Sequence, residues 1–448
     1  MSRRESPSGW IGVALAALLL GGCAGAPAPA PISRRLPPPS REVLANGMRL
    51  IIQEHRAADV VALELWVGVG ARDEAPPERG FSHLVEHMLF KGTEKLPRGF
   101  VDEEVEGAGG RSNAGTSYDY TYYYMLLPAR RASRGIEVLA DMAFASAFDA
   151  DEIVREREVV FEEVRLGEDN PSQSLSRRLH ELVFEGHPYG APVLGDPTAL
   201  RNATRATLRD YYKRHYVPEN MALVVVGPVN PDEVRAAVAR SFAAVPRAGY
   251  VPRLPPPPPA LDGARERVVE RPERQTFLGL AWAAPELGHP DMFAVDLLAH
   301  ILGGSRSSRL NQALRERARL VTSIGAGYSA LARGGVLSVT TQLEPKDESR
   351  VEASILQEVR RVQEEGVTAE ERERAVTASE SQHEFSRETV EGLARAWGRA
   401  ETVWSLEAER RYLDGIRAVT REQIQEAARR YLGASYAKLA LTPKRKDS

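Results

Sequence analysis

A run of prolines between residues 252 and 259 (PRLPPPPP) limits what this chain can fold into more than any other feature. Proline fixes φ and lacks a backbone N–H, so such a run neither continues a helix nor joins a sheet interior. It cuts the chain into halves of similar size, and the halves look like distant copies. Ser82-His83-Leu84-Val85-Glu86-His87-Met88-Leu89 can be laid over Val295-Asp296-Leu297-Leu298-Ala299-His300-Ile301-Leu302, each after a strand-like segment. The expected architecture is a duplication in the α+β class. Two homologous domains at 43–251 and 263–448 are joined by a linker at 252–262, each with a mainly antiparallel sheet covered by helices. In the overlay Asp296 stands for His83 and Ala299 for Glu86, so a metal site would belong to the first half only.

The local pattern agrees. Asn46-Gly47 is a turn signal ahead of a short strand at 49–53, where the folded structure should begin at about residue 43. Residues 60–69 (VVALELWVGV) and 118–127 (YDYTYYYMLL) are β-rich, whereas 151–166, 348–365 and 369–384 carry a helical period. At 448 residues, 43% apolar and 27% charged, the composition is that of a folded protein with full cores. A net charge of −3 gives no reason to expect nucleic acid, which calls for a basic face. One cysteine excludes an internal disulfide framework and a Cys-based zinc cage, leaving any metal to His and carboxylates.

Those residues are concentrated around His83. Phe81, Leu84, Val85, Met88 and Leu89 form the apolar stripe of a helix, with Gly92 as its expected stop. His83, Glu86 and His87 lie on the opposite side, a position that by default is simply solvated. Two histidines four apart stand one turn above the other and can share an ion at about 2.0–2.1 Å each. Glu86 is turned from His83 by about 60°, which suits a general base facing a water on the metal better than a ligand. A catalytic zinc needs a third protein ligand. The richest supply is the helix at 152–163 (EIVREREVVFEE), where Glu156 and Glu163 share a face and Glu162 points elsewhere.

His-x-x-Glu-His is the inverted zincin pattern. Gly80-Phe81-Ser82-His83-Leu84-Val85-Glu86-His87-Met88-Leu89-Phe90-Lys91-Gly92-Thr93 resembles the active-site helix of the pitrilysin and mitochondrial-processing-peptidase family. So do Asn113-Ala114-Gly115-Thr116, His187-Pro188-Tyr189-Gly190, Tyr216-Val217-Pro218-Glu219-Asn220-Met221 and Gly303-Gly304-Ser305-Arg306-Ser307-Ser308-Arg309-Leu310, so the likeness spans both halves. The resemblance implies a LuxS/metallopeptidase-like duplication and a zinc-dependent endopeptidase acting on peptides or unfolded protein segments. It implies zinc on His83, His87 and Glu163, Glu86 as general base, and Glu156 as a supporting carboxylate of the catalytic site. Asn113 and Ala114 would lie on an edge strand that pairs with substrate backbone, and Arg315 would contact substrate.

One position departs from the family. There an arginine is followed seven residues later by a tyrosine, but Arg315 is followed by Thr322. Tyr328 lies six strand residues further, roughly 20 Å away. The expectation is a heterodimer with a paralogous subunit supplying the Arg/Tyr pair, a homodimer being the other possibility. A noncatalytic assembly subunit and a peptide-binding protein that does not cut are the rival readings.

The N-terminus suggests where such a protein would work. Arg3 and Arg4 precede an apolar run from Trp10 to Leu20, too short to span a bilayer and of the length of a secretory h-region. Leu20-Gly21-Gly22-Cys23 resembles a bacterial lipobox. Residues 1–22 would then be a signal peptide, Cys23 the lipidated residue, and 23–42 a Pro/Ala-rich tether. This implies a lipid anchor in the bacterial cell envelope, with Ala24 favouring the periplasmic face of the outer membrane.

Overall fold

A computed structural model describes residues 37–444. The expected signal peptide, Cys23 and the first part of the expected tether lie outside the described residues. The first half contains strands β1 (Ser40–Val43), β2 (Arg49–Glu54), β3 (Val60–Val67), β4 (Arg111–Thr116), β5 (Thr121–Pro128) and β6 (Met221–Gly227). Its principal helices are α1 (Phe81–Met88), α2 (Ala132–Ala145), α3 (Ala150–Asp169) and α4 (Pro171–Val183). The second half contains β7 (Arg265–Arg271), β8 (Thr276–Ala284), β9 (Val321–Leu331), β10 (Gly334–Leu343) and β11 (Ala437–Pro443). It carries helices α5 (Met292–Gly303), α6 (Glu348–Glu365), α7 (Ala369–Ser386) and α8 (Val390–Val403).

The strand orders establish the duplication. The first sheet runs β1-β2-β6-β3-β5-β4 and the second β7-β11-β8-β10-β9. Removing β1 leaves the same order twice. Each sheet has one parallel pair, β2–β6 or β7–β11, and is otherwise antiparallel. β4 and β9 are therefore equivalent edge strands, and α1 and α5 are equivalent helices that follow β3 and β8.

Two boundaries differ from the sequence reading. Ser40–Val43 pairs antiparallel with β2, Ser40 opposite Ile52, so the fold starts inside the expected tether. This outer strand is mostly exposed, and its short polar sequence carries no alternation to betray it. The strand expected from residue 118 begins at Thr121, because Ser117–Tyr120 form the turn of the β4–β5 hairpin, closed by Ser117 N–H donating to Tyr120 O at 2.8 Å.

The halves also share their covering helices. Helix α4 of the first half packs on β8 and β11 of the second, and α8 of the second packs on β3 and β6 of the first. Leu175, Leu179 and Leu182 meet Ala281 and Leu439, while Leu393, Ala394 and Trp397 meet Ile51, Trp66 and Val224. Both faces of β3 are consequently covered: Val61, Leu63, Leu65 and Val67 face the main first-half core, and Ala62 and Trp66 face α8. That is why residues 60–67 read as a nearly continuous apolar run instead of an alternating one. Glu64, fully buried, accepts hydrogen bonds from Trp66 Nε1 at 2.8 Å and from Arg395 of α8 at 3.2 Å. The described chain forms one compact unit from Pro37 onward.

The linker lacks regular structure but is held down. His187 Nε2 donates to Pro256 O at 2.8 Å, and Tyr189 OH donates to Asp119 at 2.7 Å. Asp119 in turn accepts from Ala332 N–H of the second half at 3.0 Å. The His187-Pro188-Tyr189-Gly190 motif thus fastens the two halves together.

Candidate metal centre

Glu74 sets the start of α1. Its carboxylate accepts the N–H groups of Gly80 and Ser82, each at 2.7 Å, and Gly80 turns the chain at φ +98. These bonds satisfy orphan donors at the helix start. Phe81, Leu84, Val85 and Met88 are buried in the core, as the stripe requires. The α-helix ends at Met88, and a further turn leads to Gly92 at φ +99. The opposite face is not solvated: His83 and Glu86 are each 8% exposed.

Helix α3 supplies the other side. Asp149 caps it by accepting from the N–H groups of Asp151 and Glu152. Glu156 and Glu163 both face α1, whereas Glu162 turns outward to Arg165. His83 Nε2 and His87 Nε2 lie 3.3 Å apart. Glu163 Oε2 is 3.4 Å from the first and 3.7 Å from the second. One ligand atom from each of the three residues lies within 4.8 Å of the others, the one such group among the described residues. Burial, with His87 close by, pushes His83 down to about 3, so its imidazole is neutral. Two imidazoles and one carboxylate converging on a point are a donor set that fits zinc.

The neighbouring contacts separate the remaining roles. Glu156 Oε2 is 3.0 Å from His87 Nδ1, and its Oε1 is 2.9 Å from Lys91 Nζ. A carboxylate on the outer ring nitrogen fixes the tautomer that leaves Nε2 free to bind metal. Glu156 is thus placed to orient the His87 ring. Glu86 accepts a hydrogen bond from Thr116 Oγ1 at 2.5 Å. Burial pushes Glu86 up to about 7, against the lowering effect of that bond. A base poised near neutral pH is suited to proton transfer.

The edge strand is where the sequence put it. β4 pairs with β5 alone, and Asn113 Oδ1 accepts the N–H of its neighbour Ala114 at 2.8 Å. β4 also ends at Thr116, so the expected substrate strand and Glu86 are joined by one hydrogen bond. Arg315 does not belong to the metal cluster; it lies in the second half on the π-helical segment Asn311–Arg317. Thr322 is exposed on β9 and donates to Gln342 O at 3.1 Å. Sequence reasoning missed Glu74, Lys91 and the link from Thr116 to Glu86. Lys91 and Thr116 sat inside recognised motifs, but only the fold gives them partners.

Comparison with known proteins accords with this geometry. A model of the insulinase family, peptidase family M16, matches residues 49–197, and one of the peptidase M16 inactive domain matches residues 202–379. An uncharacterized zinc protease of Mycobacterium tuberculosis is 30% identical over 411 residues, 90% of this chain and 93% of that protein. The chain belongs to peptidase family M16. The uncharacterized zinc protease YmxG of Bacillus subtilis is 29% identical over 408 residues, covering 90% of this chain and 98% of its own. Among solved structures, a protease from Helicobacter pylori superposes with a TM-score of 0.86 at 24% identity, over 91% of this chain and all of that one (100%). A peptidase M16 inactive domain from Pseudomonas fluorescens gives 0.84 at 20% identity, over 92% and 99% of the two chains. The M16 inactive-domain model runs from before β6 of the first half into α7 and includes α5, where this chain has Asp296 and Ala299 at the positions equivalent to His83 and Glu86.

Proposed function

We propose that this protein is a zinc-dependent endopeptidase acting on peptides or unfolded protein segments. The observation that carries the reading is the convergence of His83, His87 and Glu163 beside a buried Glu86 that an edge strand holds in place. Zinc bound there would supply a Lewis acid that activates water and polarises the scissile carbonyl. Glu86 takes the proton of the attacking water and passes it to the leaving amine. Glu156 keeps the His87 ring oriented, with Lys91 balancing its charge. The open edge of β4 pairs with extended peptide backbone, which gives affinity without strong dependence on sequence.

The mature protein, on this reading, is held by lipid on Cys23 in the cell envelope, and its partner is a paralogous subunit with the Arg/Tyr pair. Arg315 and Thr322 motivate the partner, since this chain supplies only the first member. The rival reading, a noncatalytic subunit, draws on the second half's lack of ligands but not on the first half. The test measures zinc content and hydrolysis of a quenched peptide library, alone and with candidate paralogues. A wild-type chain that stays metal-free in added zinc, or takes it up and cuts nothing with any partner, removes the peptidase reading. Full activity of the isolated chain, with no gain from a paralogue, removes the heterodimer.

A further inference from the structure

The second half keeps the architecture of the metal site without its chemistry. α5 stands where α1 does, β9 where β4 does, and α7 where α3 does, each pair packing together in the same way. Counted from the helix N-caps Asp149 and Thr368, Glu156 corresponds to Ala375 and Glu163 to Gln382. Along α5, Asp296, Ala299 and His300 replace His83, Glu86 and His87. Two carboxylates have become alanines and one an amide. Bulkier neighbours have not filled the space. A cavity of about 630 Å³ remains, bounded by α5, β9, α7 and α8. That volume falls in the range of small-ligand pockets, about 300–1,000 Å³.

Its lining has a definite character. The acids that face it are engaged: Asp296 accepts from Tyr412 OH, and Glu409 is paired with Arg387. The donors are in excess. Arg387, Arg395 and Arg399 line one side, and among the described residues only the first two have carboxylate partners, Arg395 through Glu64 and Glu391. Among the described residues the Ser379 hydroxyl, which lines the cavity at 4% exposure, has no hydrogen-bond partner, and neither does the buried Arg387 Nε. A buried donor without an acceptor costs stability that a bound acceptor restores. Tyr328, Trp404 and Ala299 add aromatic and apolar wall.

We propose that this cavity is a binding site for a carboxylate-bearing peptide segment, its acid among the arginines and its side chain against Tyr328 and Trp404. The metal-binding half would cut, and the half that lost its ligands would hold. The choice of a peptide rests on the peptidase reading; the demand for an anionic acceptor does not.

Fluorescence anisotropy tests it, using the full chain with Glu86→Gln so that nothing is cut. The probes are hexapeptides labelled at the N-terminus, ending in a free acid, in an amide, or in an amide after a final glutamate. The free acid should bind at least roughly tenfold more tightly than the plain amide, and Arg399→Gln, an exposed position, should abolish most of that difference. Ser379→Ala should weaken binding by about three- to fivefold. Tight binding of the glutamyl amide supports the site and assigns it to acidic side chains, whereas weak binding assigns it to chain ends. Equal binding of acid and plain amide overturns the proposal, because pairing along β4 does not sense the terminus. A preference for acid that survives Arg399→Gln overturns it too. Repeating the titration after zinc is stripped separates the two readings. Acid-dependent binding, together with a zinc-loaded wild-type chain that hydrolyses no peptide with any candidate partner, upholds this site and sinks the peptidase reading alone.

Discussion

The two halves of this molecule have one topology and two chemistries. In the first, α1 and α3 bring two imidazoles and a carboxylate to a point, with Glu86 beside them. In the second, the same scaffold presents Asp296, Ala299, His300 and Gln382 around an open cavity. The apolar stripe survives in both, since Leu84 and Val85 become Leu297 and Leu298, all fully buried. The fold thus depends on the buried face of each helix, while the chemistry depends on a few residues of the other face, which change at little cost to the core. The halves remain mutually dependent because each lends the other a covering helix.

The strongest way to break the comparison is to remove what only the first half has. Glu86→Gln should lower peptide hydrolysis by roughly 10²–10⁴-fold while leaving zinc content unchanged, whereas His83→Ala should lose the metal. Elemental analysis beside a kinetic assay reads both, and a fully active Glu86→Gln chain ends the assignment of the base. The converse experiment puts the site back. Asp296→His with Ala299→Glu and Gln382→Glu should add a second zinc per chain, bound about 10–100-fold more weakly than the first because Ala375 orients nothing. A chain that still takes up a single zinc would show that the halves differ in backbone as well as in ligands.

Their interdependence is tested at Trp397, which is 7% exposed and donates from Nε1 to Gln53 Oε1 across the halves at 2.6 Å. Trp397→Ala should cost about 3–5 kcal/mol and lower the stability of both halves together. Two separate transitions in denaturant, with only one of them moved, would contradict this. Glu156→Gln should weaken zinc binding by about 10–100-fold without abolishing hydrolysis at saturating metal. A competition titration with a chelator measures it, and unchanged affinity would remove Glu156 from the site.

The smallest effect is expected at Thr116. Thr116→Val removes the hydrogen bond that lowers the Glu86 pKa, and should reduce kcat about tenfold. Only ionised Glu86 accepts a proton, so activity rises with pH through its pKa, and losing the bond moves that rise to higher pH. Thr116→Ser should restore the original profile. A Val variant whose acidic limb stays put would leave Thr116 as a packing residue.

Much of this was legible in residue spacing. The duplication could be read from the proline run and the repeated helix, and His83, Glu86 and His87 from a single turn-by-turn pattern. Those signals are local, and helix geometry maps them directly onto faces. Glu163 was different. Glu156 and Glu163 both satisfied spacing, and the family resemblance chose between them. The start of β1 was missed because an exposed edge strand needs no hydrophobic alternation.

Sequence alone determined the number of copies, the class of each, and the donor types from which a metal site could be built, because periodicity and composition act along the chain. Tertiary structure decided what lies between segments distant in sequence. It exchanged α4 and α8 between the sheets, gave Lys91 and Thr116 their carboxylate partners, and turned His187-Pro188-Tyr189-Gly190 into a fastening for the linker. It also left a cavity at the position equivalent to the metal cluster. Each of these rests on side chains from separate elements meeting in space, and no period along one element specifies which other element it will face.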